Sequence, residues 1–185
     1  MSFEFERTPI EGLCIIRPKR FLAARGHFAE CYQQEIFAEN GISKPFIQDN
    51  QSYSKNGTIR GLHYQNPPHA QAKLIRVIVG KILDVAVDIR LNSKTFGNHF
   101  SIELDAAKGD MLFVDEGFAH GFAILSVEAI VHYKTTRYYA LEAEDGIFWN
   151  DPDLDIDWKT TEPCLSEKDS KLLRLKDKPK DIFPS

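Results

Sequence analysis

The residues best suited to chemistry lie between Asn56 and Pro68, where an Asn-Gly turn begins a short predicted strand that carries Arg60 and His63. Pro67 and Pro68 end that strand because proline cannot donate to a sheet ladder. A histidine on such a rigid segment has a reference pKa of about 6.5 and can accept a proton near neutral pH. It needs another group to orient its second ring nitrogen.

Arg60 and His63 have opposite parity along a strand, so their side chains would ordinarily point to opposite faces of a sheet. Both can line one cavity only if Gly61 marks a bulge or a bend, which is a common role of glycine within a strand. The sequence therefore sets a requirement at Gly61 for any fold that brings Arg60 and His63 together.

Three further side chains could do chemistry, although their sequence context alone favours ordinary packing. Lys73 begins a strand that is otherwise apolar, and a lysine there either reaches outward to solvent or points into a polar cavity. Tyr133 is interpreted as a packing tyrosine unless the fold brings it near His63. His120 lies among glycines and phenylalanines, which is typical of a hydrogen-bonded core histidine.

A metal site is not expected from the six histidines. Metal-binding jelly rolls of the cupin type commonly use a His-x-His pair with a carboxylate and a further histidine, whereas here the residue two after His63 is Gln65. A carboxamide replaces an imidazole nitrogen poorly, so the affinity for a transition metal would be low. The remaining histidines are interpreted as structural or surface residues: His27, His69, His99 and His132.

The elements that must position these residues are mostly β-strands. An amide-rich segment, 46–52, is predicted either as a solvated edge strand or as a strand that faces a ligand. Two strands rich in valine and isoleucine, 73–79 and 82–89, are predicted to form a hairpin across Gly80 and Lys81. Further strands are predicted at 13–16, 100–104, 111–114, 118–125 and 129–139.

Helices are predicted to be short and peripheral. One covers 32–40 and is closed by Gly41, and another begins at Ser166, with Asp169 three residues later. Many short strands separated by Gly, Asn and Pro turns predict an all-β fold, an antiparallel jelly roll or cupin-like β-barrel. We expect one such domain over residues 1–185.

Composition narrows the possible classes of function. The chain has 185 residues, and 43% of them are hydrophobic, which suits a globular protein with a sizeable core. The formal net charge is −4 and the basic residues are scattered, so no nucleic-acid partner is expected. With no signal pattern and no apolar run of roughly 18 residues, we expect a cytoplasmic protein without a membrane partner. Cys14, Cys31 and Cys164 are widely spaced and expected to be reduced.

A series of motifs follows in order from about Phe21 to about Asp169. The motifs are Gln48-Asp49-Asn50, Arg60-Gly61-Leu62-His63-Tyr64-Gln65, Pro67-Pro68, Gln71-Ala72-Lys73-Leu74, Asp84-Val85-Ala86-Val87-Asp88-Ile89-Arg90, Gly117-Phe118-Ala119-His120-Gly121-Phe122, Tyr133-Lys134-Thr135-Thr136 and Trp149-Asn150-Asp151-Pro152. In order and spacing this series resembles the dTDP-4-dehydrorhamnose 3,5-epimerase family, and such co-linear agreement is more specific than any single motif.

The resemblance implies a metal-free, cofactor-free jelly-roll homodimer that inverts C3 and C5 of a dTDP-linked 4-keto-6-deoxyglucose on the route to dTDP-L-rhamnose. It implies that His63 is the base and that Asp169 orients it. By the same family pattern, Lys73 lies beside the developing enolate oxygen and Tyr133 returns a proton to the opposite face. These residue types suit the reaction because a proton on a carbon beside a ketone is weakly acidic, and its removal leaves a negative charge.

The resemblance also implies how the nucleotide is held. Arg25 and Arg60 would contact the ligand and its diphosphate, since guanidinium groups bind phosphate oxygens in pairs. Phe21 and Tyr138 are expected to stack on thymine. The other implied substrate-binding positions are Glu30, Gln48, Asn50, Lys73, His120, Glu144 and Lys168. The chain departs from the family pattern at Ala24, where an acidic or polar residue is frequent, and after Asp169.

Three alternatives remain open at this stage. A 3-only epimerase or a keto-sugar isomerase acting on dTDP-sugars would use the same histidine, lysine and tyrosine. A catalytically silent sugar-nucleotide binding module would be favoured if His63 or Asp169 were missing, and both are present. A metal-dependent cupin oxygenase is disfavoured by Gln65.

Overall fold

A computed structural model describes residues 2–179 and residue 183. The predicted domain of residues 1–185 also includes 1, 180–182, 184 and 185, which lie outside the described residues. Within the described part the chain forms thirteen β-strands and one α-helix, and no helix there is long and apolar enough to cross a membrane. The elements are β1 Phe3–Arg7, β2 Leu13–Pro18, β3 Phe21–Ala23, β4 Gly26–Phe28, α1 Gln34–Glu39, β5 Gln48–Lys55, β6 Ile59–Gln65, β7 Lys73–Val79, β8 Lys81–Asp88, β9 His99–Asp105, β10 Met111–Val114, β11 Phe118–Ile124, β12 Glu128–Thr135 and β13 Glu144–Gly146.

Two antiparallel sheets form the body of the fold. The first has six strands in the order β1-β2-β10-β7-β12-β5, and the second has five in the order β13-β6-β11-β8-β9. The strands β3 and β4 pair with each other as a separate two-stranded hairpin. Because successive strands repeatedly change sheet, the architecture is an antiparallel jelly roll, which confirms the predicted fold class.

The core lies in three layers that follow from strand alternation. Ala86 of β8 packs in the layer between the sheets, whereas Val85 packs on the outer face of the five-stranded sheet. The outer face of the six-stranded sheet is partly covered by α1, whose Phe37 is fully buried. Polar side chains that share a strand face with Ala86 therefore point into the space between the two sheets, where they are enclosed.

Two of the predicted elements are wrong in their arrangement. The strands on either side of Gly80 do not form a hairpin, because β7 belongs to the six-stranded sheet and β8 to the five-stranded sheet. The expected terminal helix is a single 3₁₀ turn, Asp169–Lys171, which ends where Leu172 becomes extended. There the chain leaves the helical path, and Phe148 N–H donates to Leu173 O at 2.8 Å. The predicted helix over 32–40 is confirmed in a shorter form.

Candidate active site

The clearest chemical feature is a hydrogen-bonded pair between His63 and Asp169, whose Nε2 and Oδ1 atoms lie 2.6 Å apart. Asp169 is only 3% exposed, and its Oδ2 also accepts a bond from the backbone N–H of Gly61 at 3.5 Å. Burial alone would raise the pKa of Asp169, but the hydrogen bond and charge of His63 outweigh burial and hold that pKa below its ordinary value. With Nε2 engaged by the carboxylate, Nδ1 is the ring nitrogen left to accept a substrate proton.

Asp169 reaches His63 on a segment that lies outside both sheets and lines the cavity, here called the C-terminal strap, residues 160–175. The strap is joined to the start of β6 by a two-sided backbone contact: Cys164 N–H donates to Gly57 O at 2.9 Å, and Ile59 N–H donates to Cys164 O at 3.1 Å. Within the strap, the N–H of Asp169 donates to Ser166 Oγ at 3.0 Å. These bonds fix the carboxylate without a long helix.

The requirement for a bulge or a bend at Gly61 is met by a bulge in β6. His63 pairs with His120 and Arg60 pairs with Phe122, so β6 advances three residues where β11 advances two. Gly61 has a φ of +125°, and a Cβ atom there would lie 2.5 Å from the Cα of Gly121. The extra residue allows Arg60 and His63 to line the same cavity.

Lys73 begins β7, and its side chain points into the cavity. Of the two orientations that the sequence allowed, outward to solvent or into a polar cavity, the structure has the second. Its Nζ donates to the backbone carbonyl of His63 at 3.3 Å. Burial lowers the pKa of Lys73 to about 8, although the negative charges of Asp84 and Glu144 oppose the shift. A group with this pKa carries a positive charge at neutral pH and loses it under mildly alkaline conditions.

Tyr133 lies on β12, in register with Asn50 on one side and Ile75 on the other. Burial raises the pKa of its phenol, with the positive charge of Arg60 acting in the opposite direction. The phenol therefore stays protonated at neutral pH and can donate its proton.

A second imidazole–carboxylate pair joins His120 to Asp84, through Nε2 and Oδ1. Asp84 is fully buried, and its Oδ2 has no hydrogen-bond partner among the described residues. Asp84 is a site residue that the motifs did not reveal, although its neighbours carry a signal: a carboxylate between Leu83 and Val85 in an apolar strand must be paired when it is buried. Asp84 thus fixes His120 and adds negative charge near Lys73.

These side chains converge on one cavity of about 620 Å³. Of the residues predicted from the sequence, the lining includes Arg60, His63, Lys73, His120, Tyr133, Glu144, Lys168 and Asp169. Glu144 forms an ion pair with Lys168 and accepts a bond from the Tyr139 hydroxyl at 2.6 Å. Burial alone would raise the pKa of Glu144, but these partners hold it below the ordinary value.

Six other predicted residues lie outside this cavity. Gln48 and Asn50 are bonded to each other at 2.9 Å on β5, and Tyr138 lines a neighbouring cavity of about 640 Å³ with Arg137 and Tyr139. The remaining three lie on or beside the β3–β4 hairpin, whose two strands pair with each other in a separate sheet: Phe21, Arg25 and Glu30.

Comparison with known proteins adds an independent line of evidence. A family model described as dTDP-4-dehydrorhamnose 3,5-epimerase matches residues 7–177. A protein of that name from Methanothermobacter thermautotrophicus is 44% identical over 96% of this chain and 97% of its own length. A dTDP-4-dehydrorhamnose 3-epimerase from Streptomyces niveus is 37% identical over 90% of this chain and 81% of its own length.

The fold is also found among solved structures. The crystal structure of dTDP-6-deoxy-D-glucose-3,5-epimerase from Legionella pneumophila, in complex with dTDP-4-keto-L-rhamnose, aligns with a TM-score of 0.94. The two sequences are 41% identical, and the alignment covers 98% of this chain and 97% of that one.

Proposed function

The chain belongs to the dTDP-4-dehydrorhamnose 3,5-epimerase family, and we propose that His63, Lys73 and Tyr133 perform its reaction, the inversion of dTDP-4-dehydro-6-deoxy-D-glucose at C3 and C5. The enzyme is an isomerase. At each centre a proton leaves the carbon next to the ketone, an enolate forms, and a proton is returned to the opposite face. Atoms and charge balance without an oxidant or a reductant, so we propose that no cofactor takes part.

One observation carries this proposal: His63 and Tyr133 enter the same cavity from opposite sheets. His63 lies on β6 of the five-stranded sheet, and Tyr133 lies on β12 of the six-stranded sheet. A sugar ring held between them would present one face to the imidazole and the other to the phenol. Inversion requires this arrangement, because a single base that reprotonated the same face would regenerate the substrate.

His63 is proposed as the base and Asp169 as the group that orients it. The ionised carboxylate holds the Nε2–H tautomer and stabilises the imidazolium that forms when Nδ1 takes the proton. This support explains why a histidine at this position can remove a proton from carbon rather than act as a packing residue.

Lys73 is proposed to stabilise the enolate. Its ammonium group lies in the cavity beside the backbone of His63 and carries a positive charge at neutral pH. A fixed charge in a partly dehydrated site stabilises a developing oxyanion more strongly than water does. His120, held by Asp84, lines the same part of the cavity and is proposed to contact the substrate.

The nucleotide is proposed to extend from the cavity that contains His63 toward the neighbouring cavity that contains Tyr138. Arg60 and Lys168 supply positive charge at the cavity wall for the diphosphate. Tyr138 is 68% exposed in the neighbouring cavity and is free to stack on thymine. Gln48 and Tyr139 connect the two regions, because Tyr139 N–H donates to Gln48 Oε1 at 3.1 Å, and Asn50 is bonded to Gln48. These two amides would orient the base.

We further propose a homodimer in which the β3–β4 hairpin completes the site of the second copy. The hairpin exposes Phe21, Leu22 and Phe28 by 45%, 84% and 67%, and an apolar surface of this kind indicates a contact with another molecule. Delivery by a second copy would bring Arg25, Glu30 and Phe21 to the nucleotide, although they do not line either cavity in their own chain. Light scattering should give twice the chain mass, and Arg25→Ala should weaken dTDP binding.

A reducing compartment is proposed from the cysteines. Cys14, Cys31 and Cys164 are all free thiols, which suits the cytoplasm.

The decisive experiment is proton NMR of the dTDP-4-keto-6-deoxyglucose substrate in D₂O with the protein. We expect deuterium to enter at both C3 and C5, and a chelator to leave the rate unchanged. Exchange at C3 alone would favour the 3-only epimerase, an activity named in the Streptomyces niveus relative. Exchange at neither carbon would remove the enzymatic proposal.

A further inference from the structure

The strand β5 presents a row of polar side chains to the interior of the barrel. Its burial alternates along the strand, so that Gln48, Asn50, Ser52 and Ser54 share the inward face. Gln48 and Asn50 bond to each other at 2.9 Å, and Ser54 Oγ accepts a bond from Arg60 Nε at 2.9 Å. Ser52 differs: its Oγ atom is buried and has no hydrogen-bond partner among the described residues.

An unpartnered buried hydroxyl destabilises a fold, because the hydrogen bonds it made to water in the unfolded chain are not replaced. Alanine at position 52 would remove the unpaired group, and valine or threonine would favour the strand more strongly. Ser52 is therefore not explained by the stability of the strand. The hydroxyl needs a partner that the described residues do not supply.

The position of Ser52 indicates where such a partner lies. Ser52 lines the same cavity as His63 and Lys73. In the sheet register Ser52 pairs with Val131 of β12. The adjacent inward-facing residue of β5 on one side is Asn50, which pairs with Tyr133. The next inward place in the other direction holds Ser54, which is bonded to Arg60. A serine side chain has three staggered χ1 positions, so its hydroxyl can change direction without movement of the strand.

We propose that Ser52 is a substrate-positioning residue whose hydroxyl donates a hydrogen bond to an oxygen of the ligand between the reacting sugar carbon and the diphosphate. The inference rests on the proposed function, since it takes Tyr133 to act at the sugar and Arg60 at the diphosphate. Two ligand oxygens share this chemistry, a sugar hydroxyl and a phosphate oxygen. Either bond would restrict rotation of the ring and keep one face toward Tyr133.

The test compares Ser52→Ala with wild type in three measurements: dTDP affinity by calorimetry, steady-state kinetics on the keto-sugar, and thermal unfolding. We expect kcat/KM to fall about tenfold, as for loss of one hydrogen bond, while the unfolding temperature stays the same or rises. Opposite effects on activity and stability distinguish a ligand contact from a structural hydroxyl. Ser101→Ala, on the exposed face of β9, is the matched control and should leave all three values unchanged.

The dTDP measurement identifies the ligand oxygen. Weaker dTDP binding would assign the bond to a phosphate, and unchanged dTDP binding with a lower kcat/KM would assign it to the sugar. Wild-type kinetics and dTDP affinity in Ser52→Ala, or a joint loss of stability and activity, would overturn the inference. If wild type itself fails to exchange deuterium, the proposed function fails instead, so the two failures are distinguishable.

Discussion

Gly61 and Gly121 approach each other so closely that a Cβ atom on Gly61 would stand 2.5 Å from the Cα of Gly121. Together with the positive φ of Gly61, this contact makes the bulge in β6 dependent on glycine. Gly61→Ala should destabilise the fold by about 3 kcal/mol, from backbone strain and overpacking. Urea unfolding measures this loss.

Any Gly61→Ala protein that folds should bind and turn over substrate poorly, because Arg60 and His63 no longer share a cavity. Gly26→Ala is the control: it also has a positive φ, but no atom lies within 4 Å of the added Cβ. Equal losses of stability in the two variants would show that φ alone, not the contact with Gly121, decides the outcome.

His63→Ala should lower the rate of deuterium exchange by about 10²- to 10⁴-fold, since the base is removed. Binding of dTDP should stay close to wild type, and near-ultraviolet circular dichroism should show a folded protein. His99→Ala is the control, because His99 lies on β9 at the edge of the five-stranded sheet, and this variant should catalyse deuterium exchange at the wild-type rate. Loss of folding in His63→Ala would mark His63 as a structural residue.

Asp169→Asn should lower kcat by a similar factor, because a carboxamide no longer holds the imidazole in the Nε2–H tautomer. The effect should fall on kcat more than on KM. A variant with wild-type kcat would mean that the carboxylate contributes only to stability.

Tyr133→Phe should separate proton removal from inversion. Exchange promoted by His63 should continue, while formation of the epimerised product falls by about 10²-fold or more because no acid serves the opposite face. The ratio of exchange to epimerisation, measured by NMR in one tube, reports the separation. Tyr32→Phe is the control, because Tyr32 packs beside α1 on the outer face of the six-stranded sheet, and it should leave this ratio unchanged. A proportional loss of exchange and epimerisation in Tyr133→Phe would contradict the role of Tyr133 as the acid.

The pH dependence should reflect Lys73, whose pKa is lowered to about 8. Since the charged form stabilises the enolate, kcat/KM should fall as the pH rises through about 8. Lys73 should also make the free energy of unfolding rise with pH between about 8 and 10.5, the ordinary pKa of lysine. In that range the unfolded chain still binds a proton that the folded chain has lost. Lys73→Met should remove this alkaline limb and lower activity by about 10²- to 10³-fold.

Asp84→Asn should move the alkaline limit of activity to lower pH. The charge of Asp84 opposes the effect of burial on Lys73, so its removal lowers the pKa of Lys73 further. A pH–rate profile measures the displacement. Asp49→Asn, at an exposed carboxylate on the outer face of β5, should leave the profile in place. An unchanged profile in Asp84→Asn would show that the two groups are not coupled.

Much of the fold could be predicted because alternation and turn residues are local signals. The parity of Arg60 and His63 showed that a shared cavity requires a bulge or a bend at Gly61, but the structure was needed to show that the two residues share one. The hairpin across Gly80 was wrong because a turn signal shows where the chain reverses, not which sheet receives the next strand.

The site was harder to predict because its members are distant in sequence. The partner of His63 is Asp169, and no spacing rule connects them; only the family resemblance paired them. Asp84 could have been recognised from its apolar neighbours. Ser166 did indicate where the chain turns, since its Oγ accepts the N–H of Asp169. Only a single 3₁₀ turn follows, because Leu173 accepts a backbone bond from Phe148.

The strap brings Asp169 to His63 only after every strand of the two sheets has been synthesised. On the ribosome, a chain with both sheets assembled would still lack the carboxylate that activates its base. Docking of the strap is therefore the step that completes the base, because it supplies Asp169 to His63 from outside both sheets.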